Sequence, residues 1–243
     1  MSRRLTIILI LILIAGMGAL AYILQQKKRA WAASPYGSIP IDAGIVIEAV
    51  DMPGMFSSLA SGNELVKGMS EINELENFTK AIRIIDSLSH RREFVNLTAN
   101  NPVLISLHLL GKKRLTPLFT FAAAPEIREK HIKDILSGIP GYILGERQYE
   151  GSTIYELRSR NDDNNSYFLA LNRGVMIISP SHILAEAAIR QGAQEKGIRD
   201  LPGFRRVSDA AGKHENKLYI IFNNMPELIS LLGGVPGTAT VND

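Results

Sequence analysis

The chain contains no cysteine. That excludes a disulfide scaffold, a thiolate metal site, a cysteine nucleophile and lipid attachment at an amino-terminal cysteine. Neither G-x-x-x-x-G-K-[ST] nor G-x-G-x-x-G occurs, so phosphate-loop and dinucleotide readings fail. No G-x-S-x-G elbow is present, which leaves an α/β-hydrolase nucleophile unsupported. Histidine is scarce, and His90, His108, His131, His182 and His214 show no spacing such as H-x-x-x-H. His108 falls on the more polar side of its strand, His131 shares a helical stripe with Ile127 and Ile135, and His182 sits in a first helical turn. On this basis the expectation is no catalytic, cofactor-binding or metal-ligating residue and no cofactor.

An excess of charge of one sign is also missing. The pI near 9.1 suggests a nucleic-acid binder, but the distribution removes that reading. The chain has 27 Lys+Arg and 24 Asp+Glu, and five of the cations are Arg3, Arg4, Lys27, Lys28 and Arg29. Without them 22 cations face 24 anions, a formal charge of −2. The basic footprint that nucleic-acid binding needs is therefore absent.

What is present is one long apolar run. From Leu5 to Leu24, twenty residues, Thr6 is the only conventionally polar side chain. Twenty helical residues reach about 30 Å, the thickness of a bilayer's hydrocarbon core. The favoured reading is an uncleaved signal anchor over 1–29, binding the lipid bilayer through Leu5–Leu24. A cleaved signal is the alternative: Ala19-Leu20-Ala21 and Ala30-Trp31-Ala32 both fit an A-x-A-like site. The first lies inside the apolar run and the second behind three consecutive cations. A buried soluble helix is the least favoured reading, since cations flank the run at both ends. Lys and Arg counts at the two ends nearly tie, and long domains translocate largely regardless of charge. The amino terminus is placed inside and the domain outside: a single-pass protein of the inner membrane, facing the periplasm.

Residues 30–43 hold two prolines, a glycine and small residues and read as a linker. Gly44–Val50 reads as a strand, and Asp51-Met52-Pro53 as the start of a short helix. Ser70 is a plausible N-cap for a helix on which Ile72, Leu75, Phe78, Ile82, Ile85 and Leu88 recur every three or four residues. Val103–Leu110 alternates as a strand, and Leu115, Phe119 and Phe121 mark another. Pro125 starts a helix ending at Gly138. Strands follow at about 142–149, 152–158, 166–172 and 175–179, with links short enough for an antiparallel meander. Ser181 caps a helix ending at Gly192, Pro202–Ala211 makes another, and Lys217–Phe222 is a strand. The expected class is α+β: an amino-terminal transmembrane helix, then a mostly antiparallel sheet with helices packed on one face.

GIVIEAVDMPGMFSSLASG, from Gly44, is echoed by LYIIFNNMPELISLLGG, from Leu218. Met52-Pro53 aligns with Met225-Pro226, and Ser57 with Ser230, at an offset of 173. The alternative is chance, because a strand followed by a helix is common. If the echo is a repeat, 44–216 is one extracytoplasmic domain and 217–243 the truncated start of a second unit. Leu228, Ile229, Leu231 and Leu232 would then leave an apolar patch that favours self-association.

The anchor, Ile39-Pro40-Ile41-Asp42-Ala43, the strand Ile45–Val50 and the segment Tyr219–Leu232 together resemble exported Bacteroidetes proteins of a "domain of unknown function" family. The resemblance is loose, made of hydrophobic patterns. It implies a periplasmic location, assigns no activity, and carries no catalytic residue over. Such proteins are usually longer, which agrees with truncation.

Two acidic groups remain as candidates for chemistry. Asn161–Asn165 offers oxygen ligands but lacks the alternating order of a calcium loop and reads as a solvated hairpin tip. Glu146, Glu150 and Glu156 lie along one expected hairpin and are the single carboxylate group worth locating. The leading functional expectation is a non-enzymatic binding or structural module of the cell envelope, with an envelope protein or a second copy as partner. The alternative is an envelope hydrolase acting on glycan or peptide through an unrecognised site.

Overall fold

The computed structural model describes residues 34–50, 54, 101–111, 114–162, 165–194, 197–212 and 216–226. Leu5–Leu24, Asp51–Pro53, the helix expected over 70–88, His90, His214 and the Leu228–Leu232 patch lie outside them. Among the described residues no helix is long and apolar enough to cross a membrane.

Among the described residues eight strands form one sheet: β1 (Ile45–Ala49), β2 (Val103–Leu110), β3 (Arg114–Ala122), β4 (Tyr142–Tyr149), β5 (Ser152–Ser159), β6 (Ser166–Asn172), β7 (Val175–Ser179) and β8 (Lys217–Ile220). Their order is β4-β5-β6-β7-β3-β2-β1-β8, and every neighbouring pair is antiparallel. The run β4 to β7 is the expected meander. Its first and last hairpins turn on Glu150-Gly151 (φ 44° and 76°) and Arg173-Gly174 (φ 49° and 77°). Positive φ at both central residues is the type I′ turn, whose twist matches paired strands.

The described α-helices are α1 (Glu129–Ser137), α2 (His182–Gln194) and α3 (Pro202–Ala210). They cover both faces of the sheet, not one. On one face α1 lies over β4 and β5, and its Ile132 and Leu136 join Tyr155, Leu157, Phe119 and Ile178 in one core. On the other, α2 sets Leu184, Ala185, Ala188 and Ile189 against Leu118, Ile154, Ala170 and Ile177. Phe204 of α3 joins Ile39, Val46, Leu104 and Tyr219 on that second face. The reason is in the strands. Val175–Ser179 is apolar at four successive positions and buried at all five, and successive side chains point to opposite faces. A strand apolar on both sides needs cover on both sides. Fully burying side chains such as Phe119 and Leu118 is worth about 1.5–3 kcal/mol each.

Three further expectations are revised. Residues 34–43 are not a linker. Pro35–Ser38 forms a 3-10 turn, and Ile39 and Ala43 are wholly buried in the core. α1 begins at Glu129 rather than Pro125, because Arg128 is extended (φ −130°) and the His131 Nδ1 accepts its backbone N–H at 3.2 Å. That use also exposes His131, which was expected to face the core edge. Finally, α2 continues past Gly192. This glycine lets the helix approach the amino-terminal turn: a Cβ there would lie 2.8 Å from Ser38 Oγ. Ser181 does precede α2 as expected, with its hydroxyl 3.5 Å from the Leu184 N–H.

Lys217–Ile220 joins this same sheet, antiparallel to β1. The boundary expected at 216 therefore falls between two strands of one sheet.

Candidate functional site

The polar constellation closest to catalytic geometry is Ser106, His108 and Asp42. Ser106 and His108 are two apart on β2, so both project from one face, and both are wholly buried. The Ser106 Oγ lies 2.8 Å from His108 Nε2. On the ring's other side, Nδ1 lies 2.8 Å from Asp42 Oδ1. An ionised carboxylate only accepts, so Nδ1–H donates to Asp42, and in the neutral ring Nε2 accepts the Ser106 hydroxyl. Asp42 sits just before β1, which pairs with β2 in the register Ile45 opposite Leu107. The hydrogen bond from His108 holds the Asp42 carboxyl below the usual carboxylate range, and partial burial opposes that shift.

The order serine, imidazole, carboxylate is that of a nucleophilic triad. The environment differs. Asp42 is exposed, with 62% of its side chain wet, but the Ser106 hydroxyl is fully enclosed. Ile39 and Ala43, from the segment carrying Asp42, are core residues on the same face. As it stands, the relay ties residues 39–43 to the sheet.

A second buried cluster spans β1 and β8. The Tyr36 hydroxyl donates to Glu48 Oε2 at 2.6 Å, and Lys217 Nζ donates to the same oxygen at 2.9 Å. Glu48 and Lys217 are directly opposite in the ladder. Burial, then the hydrogen bond to the Glu48 carboxylate, raises the Tyr36 phenol far above its ordinary value. The cluster is a paired charge inside the fold.

Glu146, Glu150 and Glu156 are not brought together. Glu146 is opposite Tyr155 and Glu156 opposite Gly145, so these two carboxylates project from opposite faces. Each has its own cation: Glu146 takes Lys133 at 2.9 Å and Glu156 takes Arg158 at 2.9 Å. Glu150 occupies the hairpin tip. Among the described residues no three His, Asp or Glu side chains gather to hold a metal ion. His182 is exposed and makes an edge contact with the Phe168 ring at 5.6 Å.

Exposed apolar side chains stand at several places, Ile41, Ile143, Ile183 and Val207 among them, and three fall close together at one edge of the sheet. On the edge strand β8 and the turn after it, Leu218 is 62%, Ile220 43% and Phe222 78% exposed. Among the described residues β8 has one neighbour, β1.

Sequence reasoning missed the Ser106–His108–Asp42 relay. The available signal was Ser-x-His on one strand; the carboxylate needed the β1–β2 register. Compared with protein-family models, curated proteins and solved structures, the chain matches none.

Proposed function

We propose that this chain is a single-pass inner-membrane protein, anchored by Leu5–Leu24, whose periplasmic α+β domain is a non-enzymatic binding or structural module of the envelope. The resemblance to Bacteroidetes envelope proteins supports the location. The observation that carries a binding role is the pair of exposed apolar side chains Leu218 and Ile220 on a strand at the edge of the described sheet, with exposed Phe222 in the turn after it. An unpaired edge with apolar side chains is a template for another strand, which proteins ordinarily blunt.

The second reading is a hydrolase, and Ser106–His108–Asp42 is the specific observation in its favour. Its weakness is access. A substrate carbonyl reaches Ser106 only if the covering segment moves. A fluorophosphonate probe on the full chain in detergent micelles separates the two. The module reading predicts no labelling. Stoichiometric labelling that disappears in Ser106→Ala would establish the hydrolase. Alkaline carbonate extraction of membranes tests the anchor: the module stays in the pellet, and release into the supernatant would contradict it.

A further inference from the structure

The two segments that echo each other in sequence are neighbours in space. At the offset of 173, Ile45, Val46 and Ile47 correspond to Leu218, Tyr219 and Ile220. In the β1–β8 ladder Val46 lies directly opposite Tyr219, its own counterpart, while Ile45 faces Ile220 and Ile47 faces Leu218. Antiparallel strands whose counterparts meet in this way are related by a local two-fold axis. The parity of the register also places counterparts on the same face of the sheet. Asparagine side chains close both ends of the ladder. Asn224 Nδ2 donates to the Ala43 carbonyl at 2.8 Å, and the Val50 N–H donates to Asn216 Oδ1 at 2.9 Å.

The axis has a consequence for the outer edge of β8. β1 uses one edge for β8 and the other for β2, with Ile45, Ile47 and Ala49 opposite Leu107, Ile105 and Val103. The counterparts of those three residues are Leu218, Ile220 and Phe222. They are the three large apolar side chains left wet at this edge. The Ile221 N–H donates to the Gly44 carbonyl at 2.9 Å. Backbone direction alternates along a strand, so Tyr219 turns its N–H and C=O toward β1 and Leu218 and Ile220 turn theirs outward.

We infer that β8 is the β1 of a second unit, and that its outer edge takes an antiparallel strand of the β2 type, apolar at alternate positions, supplied by that unit. The pairing would continue the sheet symmetrically past the axis, with Leu218 opposite the residue equivalent to Leu107. This names the partner of the module proposed above and rests on that reading.

The test uses the full chain in detergent micelles and a labelled peptide of sequence Asn101–Gly111. The peptide should bind saturably. Ile220→Pro removes an outward N–H and none directed at β1, so the melting temperature should hold while peptide affinity falls about tenfold or more. If that variant melts early, Ile220→Lys serves the same purpose through its charge. Because the chain has no cysteine, register can be read by disulfide trapping. Leu218→Cys should couple to a peptide with cysteine at its Leu107 position and not to one with cysteine at its Ser106 position.

No saturable binding, or binding indifferent to Ile220→Pro and Ile220→Lys, would overturn the inference. Dimerisation of the chain through β8, abolished by either variant, would overturn it in favour of a second copy. In each case the module reading stands unless Ser106 labels with fluorophosphonate or the chain is extracted by carbonate, so the two failures are distinguishable.

Discussion

His108 Nδ1 lies 2.8 Å from Asp42 Oδ1, joining a wholly buried ring to a carboxylate at the surface. The same ring holds the Ser106 hydroxyl on its other side. A buried hydroxyl that loses its partner costs about 1–3 kcal/mol, and removing the ring leaves a cavity as well. His108→Ala should therefore destabilise the domain by about 2–4 kcal/mol in urea unfolding. His131→Gln and His182→Gln, both at exposed positions, should stay within about 1 kcal/mol of wild type. Equal effects at all three histidines would contradict the buried relay.

Stability should fall at both ends of the pH range for separate reasons. The Asp42 carboxyl is held low by its hydrogen bond from His108. Its contribution is present above the unfolded value of about 3.9 and is lost as pH falls through the folded value. The Tyr36 phenol is raised by burial and by its bond to Glu48. Its contribution is present below about pH 10 and is lost as pH rises beyond that. Asp42→Asn should flatten the acid limb only, and Tyr36→Phe the alkaline limb only. A pH–stability profile unchanged by both variants would show that neither group is coupled to folding.

Gly197 tests whether residues 34–43 belong to the fold. Its φ of −126° is open to any residue, so backbone strain is not the issue. A Cβ there would lie 2.5 Å from the Tyr36 carbonyl oxygen and 2.7 Å from Gly37 Cα. Backbone atoms cannot swing aside as a side-chain tip can. Gly197→Ala should cost about 1–3 kcal/mol by overpacking, although alanine is otherwise the easier residue to order. A neutral or stabilising outcome would mean that the amino-terminal turn is only loosely attached.

Glu48 holds two donors, Tyr36 and Lys217, in a nearly closed site. With Glu48→Ala the Lys217 ammonium keeps no counter-charge on the opposite strand. Breaking a buried pair from one side typically costs about 3–5 kcal/mol, and the residual exposure of both side chains (11% and 13%) argues for the lower end. The double variant Glu48→Ala, Lys217→Ala should recover part of the loss. Strict additivity of the two single changes would contradict the pairing.

The legible parts of the fold were those written locally. The meander from Tyr142 to Ser179 has alternating or continuous apolar strands and short turn sequences, and its boundaries fall within a residue of expectation. Local signals failed where tertiary contacts decide. Proline and small residues at 30–43 suggest a linker, yet Ile39 is a core side chain because the turn over Pro35–Ser38 folds back on the sheet. Gly192 looks like a helix end but is a point of close approach. His108 looks partnerless because its carboxylate lies 66 residues earlier in the chain, a distance that only the β1–β2 register closes. The echo at Gly44 and Leu218 was visible in the sequence, whereas its placement across a local axis was not.

The measurement that bears most directly on the proposed location is protease added to intact spheroplasts carrying the full chain. A periplasmic domain anchored by Leu5–Leu24 is degraded without lysis, leaving a membrane-retained stub. Full protection, with degradation only after the membrane is broken, would put the domain on the other side and contradict the account.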